Sequence, residues 1–400
     1  MESLEAASLE ASAHNSNLAG APLKAVRRPF GAGRPVSLFT LGTMRALASQ
    51  ECMDTVLSSA LAAGINHLET APAYGPAETF LGQALAKLER SDPAARASLV
   101  ITSKLLPGAD APRGRRQLAA CLLRLGLERL DNLAVHGLNT PEHLAWATRG
   151  PGAELLDWAI GEGLVGQVGF SSHGETALIE AALSSGRFSF CSLHLHLFDQ
   201  ERLPLARTAL AEGLGVMAIS PADKGGRLYA PSAELQADCS PFHPIELAYR
   251  FLLAEGVSTL TLGAAEPSHL AWASHLAAVT GPLGLPERRA LQRLAAAGRD
   301  RLGMDRCGQC RHCLPCPNEV PIPSVLRLRN LAVGHGMTAF SSERYNLIGR
   351  AGHWWEQNDA SACQSCDACL PRCPHHLPIP TLLADTHRRL AARPRRRLWG

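Results

Sequence analysis

From about Pro35 to about Gly263 the chain alternates short, nearly unbroken apolar runs with longer stretches whose apolar positions recur every three to four residues. The short runs are Leu38–Leu41, Ile65–Glu69, Leu99–Lys104, Asn132–His136, Gly166–Phe170, Phe190–Leu197, Val216–Ile219 and Ser258–Leu262. Between them, sets such as Met53, Val56, Leu57, Ala60 and Leu61, or Phe80, Leu81, Ala84, Leu85 and Leu88, fall on one face of a helix. Buried strands alternating with amphipathic helices imply right-handed βαβ units. Eight of them in roughly 250 residues predict an α/β fold of the closed (β/α)8 TIM-barrel type. An open doubly wound sheet would call for a glycine-rich phosphate loop after the first strand, and Leu41-Gly42-Thr43-Met44 does not have that spacing.

Barrel enzymes place their chemistry where strands end. The second predicted strand ends at Glu69 and runs into Thr70-Ala71-Pro72-Ala73-Tyr74-Gly75, the third ends at Lys104, and the fourth ends at His136. Each is an ordinary strand-end residue taken singly. An acid, a phenol, an ammonium and an imidazole from adjacent strands are together a candidate acid–base site. Farther along, His194 and His196 alternate within the sixth run, which on a strand puts both on one face, able to line a site or bind a metal.

The segment beyond the barrel carries a different pattern. Eight of the twelve cysteines form two runs, Cys307, Cys310, Cys313, Cys316-Pro317 and Cys363, Cys366, Cys369, Cys373-Pro374. Three thiolates spaced two residues apart suit an iron–sulfur cubane, and in two-cluster proteins the fourth cysteine, followed by proline, serves the other cluster. The expected sets are therefore Cys307, Cys310, Cys313 with Cys373, and Cys363, Cys366, Cys369 with Cys316, each for one [4Fe-4S] cluster. The first run closes with a two-residue gap rather than three. Structural zinc would need only half of these thiols per site, and a disulfide framework belongs to short secreted domains. The long spacer contains a helical run at Ile322, Val325, Leu326, Leu328 and Leu331, so a small, mostly α-helical iron–sulfur domain is expected. Trp354 and Trp355 are expected to pack over a cluster or the barrel.

At 400 residues and 46% apolar composition the chain has room for two or three domains. Its first residues lack the basic and apolar parts of a secretory signal, and no stretch has the length and apolarity of a membrane span. Unpaired thiols and oxygen-sensitive clusters point to the cytoplasm. Net charge is +3, yet no acid follows Asp385 while Arg388, Arg389, Arg393, Arg395, Arg396 and Arg397 crowd the end. A solvated tail is expected there, with no nucleic-acid partner. The domain reading is a leader over 1–22, a barrel over 23–300, an iron–sulfur domain over 301–385 and a basic tail over 386–400.

The segment Gly64-Ile65-Asn66-His67-Leu68-Glu69-Thr70-Ala71-Pro72-Ala73-Tyr74-Gly75 resembles the aldo/keto reductase signature. Leu41-Gly42-Thr43-Met44, Thr102-Ser103-Lys104 and Val135-His136 support the likeness, which covers about Val26 to Thr280. With the cysteine runs, the chain is similar to the aldo/keto reductases that carry a C-terminal ferredoxin-type domain with two 4Fe-4S clusters. The resemblance implies that Tyr74, Lys104 and His136 are three members of a catalytic tetrad, whose fourth, normally Asp, is Glu69 here. Tyr74 would protonate a carbonyl oxygen during hydride transfer, with Lys104 lowering the phenol's pKa, Glu69 orienting Lys104 and His136 donating to the oxygen. It also implies NADPH (or NADH) held by Ser171 and Ser172 after the fifth strand, by Ser220, Lys224 and Gly225 after the seventh, and by Gly263 after the eighth. The function so implied is reduction of a small carbonyl or quinone-like compound. One conflict is internal. Nicotinamide gives two electrons together, a cluster takes one, and no flavin motif is present to convert them. A flavin or quinone brought by a redox partner protein or the substrate would resolve it, as would clusters that are structural, or an electron-transfer protein whose barrel has abandoned nicotinamide and is a docking scaffold.

Overall fold

In a computed structural model the described residues are 25–350 and 356–392. The 1–22 leader, Trp354, Trp355 and the tail arginines Arg393, Arg395, Arg396 and Arg397 lie outside them. A short antiparallel hairpin, β1 (Arg27–Arg28) and β2 (Val36–Ser37), precedes the barrel. The strands β3 (Phe39–Gly42), β4 (His67–Glu69), β5 (Val100–Leu105), β6 (Leu130–Val135), β7 (Val165–Ser172), β8 (Phe190–Leu193), β9 (Gly215–Ala218) and β10 (Thr259–Gly263) are all parallel. They close through pairing of β10 with β3. This is the (β/α)8 barrel that the alternation of runs predicts. One run is shorter than expected. The strand predicted to reach Leu197 stops at Leu193, because the backbone of His196 exchanges hydrogen bonds with Asp199 and the chain turns there.

The hairpin stoppers one end of the barrel. Phe30 packs against Phe190 and His67 with ring centroids 4.9 and 5.2 Å apart. A side chain at Gly215 would place a Cβ 2.5 Å from the Phe30 ring, so only glycine admits the plug. Above it lies a polar layer. The His67 ring nitrogens lie 2.7 Å from the hydroxyls of Thr40 and Thr102, and Gln167 donates to Asn132 at 2.7 Å. Among the described residues the hairpin thus closes this end, opposite the C-terminal face.

The helical region over roughly 285–390 follows the barrel. Its helices are Leu285–Leu302, Ile322–His335, Thr338–Tyr345 and Ile379–Leu390. It has a core of its own, where Cys313, Cys369 and Cys373 pack among Val325, Leu326, Ile379 and Leu383. Leu331, Met337 and Phe340 instead join the barrel's core. Ion pairs tie this region to the barrel: Arg301 with Asp238 (2.5 Å), Arg311 with Glu175 (2.8 Å), Arg327 with Asp199 (3.5 Å) and Glu343 with Arg227 (3.3 Å). Glu175, Asp199 and Arg227 follow β7, β8 and β9, so the region sits over that side of the C-terminal face. Arg388 and Arg389 belong to the last helix and pair with Asp385 rather than to a free tail. No helix among the described residues is long and apolar enough to cross a membrane.

Candidate active site and cysteine sets

Register explains why the strand-end groups meet. Glu69 pairs with Thr102 across β4 and β5, and Lys104 lies two residues farther along β5, on the same face. Lys104 and Glu69 form a direct ion pair, each nearly excluded from solvent. The Lys104 ammonium also donates to the Tyr74 hydroxyl and the Thr70 carbonyl, both at 3.0 Å. Tyr74 donates to Glu69 at 3.3 Å, and its ring meets that of His136 edge-on, with centroids 5.8 Å apart. The extra methylene of Glu69, compared with Asp, is accommodated at Gly42: a Cβ there would come within 3.3 Å of the Glu69 carboxylate. All four expected residues thus converge. Of the four, His136 lines a cavity of about 230 Å³, together with Pro72, Ala73, Leu105, Leu106 and Gln117, among others.

The electrostatics differ from the sequence expectation in one respect. Lys104 was expected to pull the phenol's pKa down, yet burial dominates and pushes Tyr74 above its ordinary value of 10. His136 is pushed down to about 2, first by burial and then by Lys104, His173 and Lys224. Burial lowers Lys104 below the ordinary lysine value, with Lys224 adding to it. The arrangement therefore presents a protonated phenol and a neutral imidazole, the forms able to donate to an oxygen.

The residues expected to hold nicotinamide are placed less openly. The Ser171 hydroxyl accepts from the Gly137 amide at 3.0 Å, and Ser172 donates to the Leu138 carbonyl at 2.6 Å, so both brace the loop after β6. Ser220 is left-handed, at φ 43°. Gly225 is obligatory, because a Cβ would lie 2.0 Å from the Pro221 carbonyl oxygen and 2.9 Å from His196. Gly263 borders the Arg45 side chain, 2.9 Å from where a Cβ would sit. Lys224 is lowered to about 8 by burial and by Arg344 from the helical region. Beside it a chain of imidazoles fills the interior of the rim. His173 lies 2.5 Å from His194, and His194 lies 3.1 Å from His196. His194 spends one ring nitrogen on each neighbour. Among the described residues no three His, Cys, Asp or Glu close around a single point to hold one metal ion.

In the helical region Cys307, Cys310, Cys313 and Cys373 line one pocket with Ile322, Leu326, Leu377 and Ile379. Cys313 is pushed up to about 11 by burial and by its neighbours Cys307, Cys310 and Cys369. Cys369 is raised by burial, then by Cys363, Cys316 and Cys366. Cys307 is raised by burial, then by Cys310 and Cys373, so Cys307 and Cys369 each have a neighbour from the opposite run's end, whereas Cys313 adds Cys369 rather than Cys373. A signal missed in the sequence is an internal repeat: Cys316-Pro317-Asn318-Glu319-Val320-Pro321-Ile322-Pro323 matches Cys373-Pro374-His375-His376-Leu377-Pro378-Ile379-Pro380 in position. Its conformation repeats too. Gln309, Arg311 and Glu319 are left-handed (φ 57, 64 and 54°), as are their counterparts Ser365, Asp367 and His376 (52, 58 and 51°). Left-handed residues alternating with ordinary ones turn backbone N–H groups inward, the concave nest that anionic iron–sulfur sites use. The Gln309 amide already donates to the Cys307 sulfur at 3.4 Å.

Comparison with known proteins agrees with the geometry. A profile of the aldo/keto reductase family matches residues 39–278. Among solved structures the chain is similar to a Pseudomonas aeruginosa protein assigned to the aldo-keto reductases, at 24% identity and TM-score 0.53, covering 66% of this chain and 98% of that one. It is also similar to a holo-form aldo-keto reductase from Bacillus halodurans (20% identity, TM-score 0.57, 67% and 96% covered). A third is a Bombyx mori aldo-keto reductase in complex with NADP (20% identity, TM-score 0.54, 68% and 93% covered). Identities this low carry the fold alone. Among curated protein sequences none matches the chain. The family profile spans more than half of the chain, which therefore belongs to the aldo/keto reductase family and is an oxidoreductase.

Proposed function

We propose that the protein is an NAD(P)H-linked reductase of a small carbonyl or quinone-like compound, with two [4Fe-4S] clusters in its helical region. The observation that carries the first part is the convergence of Glu69, Lys104, Tyr74 and His136, of which His136 lines the 230 Å³ cavity. When bound, nicotinamide would supply a hydride and the clusters would store single electrons. The remaining chemistry belongs to the chain. Tyr74, kept protonated by burial, gives its proton to the carbonyl oxygen as negative charge develops there. Lys104, held by Glu69, stabilises the phenolate left behind. Neutral His136 orients the same oxygen. Ser220, Lys224, Gly225 and Gly263 form the rim over which the cofactor would lie, with Ser171 and Ser172 supporting its floor.

The second part rests on the two crossed cysteine groups, the pocket between the first four and the repeated left-handed turns. Three thiols spaced two residues apart with a fourth before proline favour a polynuclear cluster over zinc. Cys307, Cys310, Cys313 and Cys373 would hold one cluster, and Cys363, Cys366, Cys369 and Cys316 the other. A redox partner protein would exchange single electrons with them, in the reducing cytoplasm that such clusters need.

Anaerobically purified protein should contain about eight irons and eight acid-labile sulfides. Stoichiometric zinc without visible absorbance would overturn the cluster assignment. Cys316→Ser should damage the second set, and loss of the first set instead would overturn the crossing. The same preparation should oxidise NADPH with a carbonyl or quinone. A second reading, an electron-transfer protein with a scaffold barrel, is favoured by one feature, the packing of the helical region over the rim where His173, His194, His196 and Lys224 are buried. NADPH that neither binds nor is oxidised, while the clusters titrate normally, would select it.

A further inference from the structure

Arg311 stands between the two halves of the molecule. It lies between Cys310 and Cys313, and it lines the first cysteine pocket. Its guanidinium also reaches both carboxylate oxygens of Glu175 at 2.8 Å and Glu201 at 3.7 Å. Glu175 follows β7 by three residues and His173 by two, so the barrel end of this contact is the loop that carries the first imidazole of the buried chain. A second contact runs in parallel. Leu326 lines the same pocket, and its neighbour Arg327 pairs with Asp199, whose backbone holds His196 at the chain's other end. The contacts of Arg372, in the second cysteine run, instead go to the carbonyls of Ala368 and Pro315 within the helical region.

We propose that the cluster in the Cys307, Cys310, Cys313 and Cys373 set is the one sensed by the barrel, and that Arg311 is the positioning residue that carries the signal. The inference rests on the two-cluster reading above. Adding one electron to that cluster would add one negative charge to the pocket that Arg311 lines. The charge competes with Glu175 and Glu201 for the same guanidinium, so reduction loosens the loop after β7 and oxidation tightens it. By reciprocity, whatever holds that loop alters the ease of reducing this cluster and leaves the other unchanged.

The test is an EPR-monitored redox titration of the full chain with both clusters assembled, using dithionite as reductant and checking iron content in every variant. The signal lost in Cys316→Ser identifies the second set. Arg311→Gln removes a positive charge from the first pocket. It should disfavour reduction of that cluster threefold to tenfold, at most about 59 mV for one electron. The double variant Glu175→Gln, Glu201→Gln frees Arg311 for the cluster and should shift the same signal the opposite way. Both shifts should shrink at high salt, since Arg311 is partly exposed. Arg327→Gln, which weakens docking without removing a charge from the pocket wall, should leave the signal in place. Unmoved signals, shifts of one sign in all three variants, or a shift confined to the second set would overturn the inference. Absence of iron would instead defeat the two-cluster reading itself.

Discussion

The C-terminal face of the barrel is built in two unlike halves. On the side of β4, β5 and β6, three strand ends deliver Glu69, Lys104 and His136, and a turn delivers Tyr74, with His136 lining a cavity of about 230 Å³. On the side of β7, β8 and β9, the equivalent positions carry imidazoles that hydrogen-bond to one another, and the helical region is fastened over their loops. One half gathers an acid, an ammonium and a phenol around one another beside His136. The other links its imidazoles in a buried chain that leaves His196 Nδ1 without a hydrogen-bond partner. The difference teaches that the acid–base apparatus and the docking of the cysteine-bearing region occupy separate arcs of one rim. The helical region can therefore respond to the barrel without covering the proton donor.

Removing the proton donor should have the largest effect. Tyr74→Phe leaves the ring against His136 and the ion pair of Lys104 with Glu69, and takes away only the hydroxyl. Turnover with a carbonyl substrate should fall by about a hundredfold or more, while NADPH affinity, measured by fluorescence titration, stays within about twofold. Undiminished turnover would break the division of the rim, because it would remove the chemistry from its open half.

Glu69→Asp tests the same half more gently. Glu69 touches both Lys104 and Tyr74, and Gly42 provides the room that its length needs. Shortening it withdraws the carboxylate by about one bond, and misplacement on that scale costs up to two orders of magnitude at a reacting centre. The pair is one step removed from the substrate, so a loss of about tenfold in turnover is expected with an unchanged KM. A gain in the aspartate variant would show that the site has not adapted to its glutamate.

What the sequence revealed and concealed follows the same boundary. The alternation of buried runs and amphipathic segments led to the barrel because both signals are local, and the strand-end residues were legible because position on a strand fixes which face of the barrel they reach. The two cysteine runs were legible from spacing, whereas the repeated left-handed turns around them were not. Sign and magnitude of the pKa shift at Tyr74 were not, since burial depends on what packs above the site, and that opposes the ammonium's local effect. Nor was the imidazole chain. The sixth run reads as a strand through Leu197, and only the turn at Asp199 brings His194 and His196 against His173 from a neighbouring loop. The ion pairs of Arg311 and Arg327 span more than a hundred residues and carry no local signal at all.

The smallest predicted effect concerns the closed half, and its sign follows from protons. Burial pushes His196 down from 6.5 to about 3, Asp199 opposing that shift and Arg327, Arg344 and Lys224 adding to it. His173 is likewise near 3. An unfolded chain binds protons at these rings below about pH 6.5, whereas the folded chain stays neutral until about pH 3. The unfolded state therefore holds more protons throughout that window, and stability, fully present above pH 6.5, is lost as pH falls through it. Each such ring contributes at most about 1.4 kcal/mol per pH unit. His196→Asn removes one of them, so a plot of unfolding free energy against pH between 6 and 4, from urea titrations, should flatten by no more than one proton's slope. Its turnover in the β4 to β6 half should be little affected above pH 7. An unchanged slope would mean that His196 takes up its proton while folded, and that the half of the rim beneath the helical region is wetter than its packing implies.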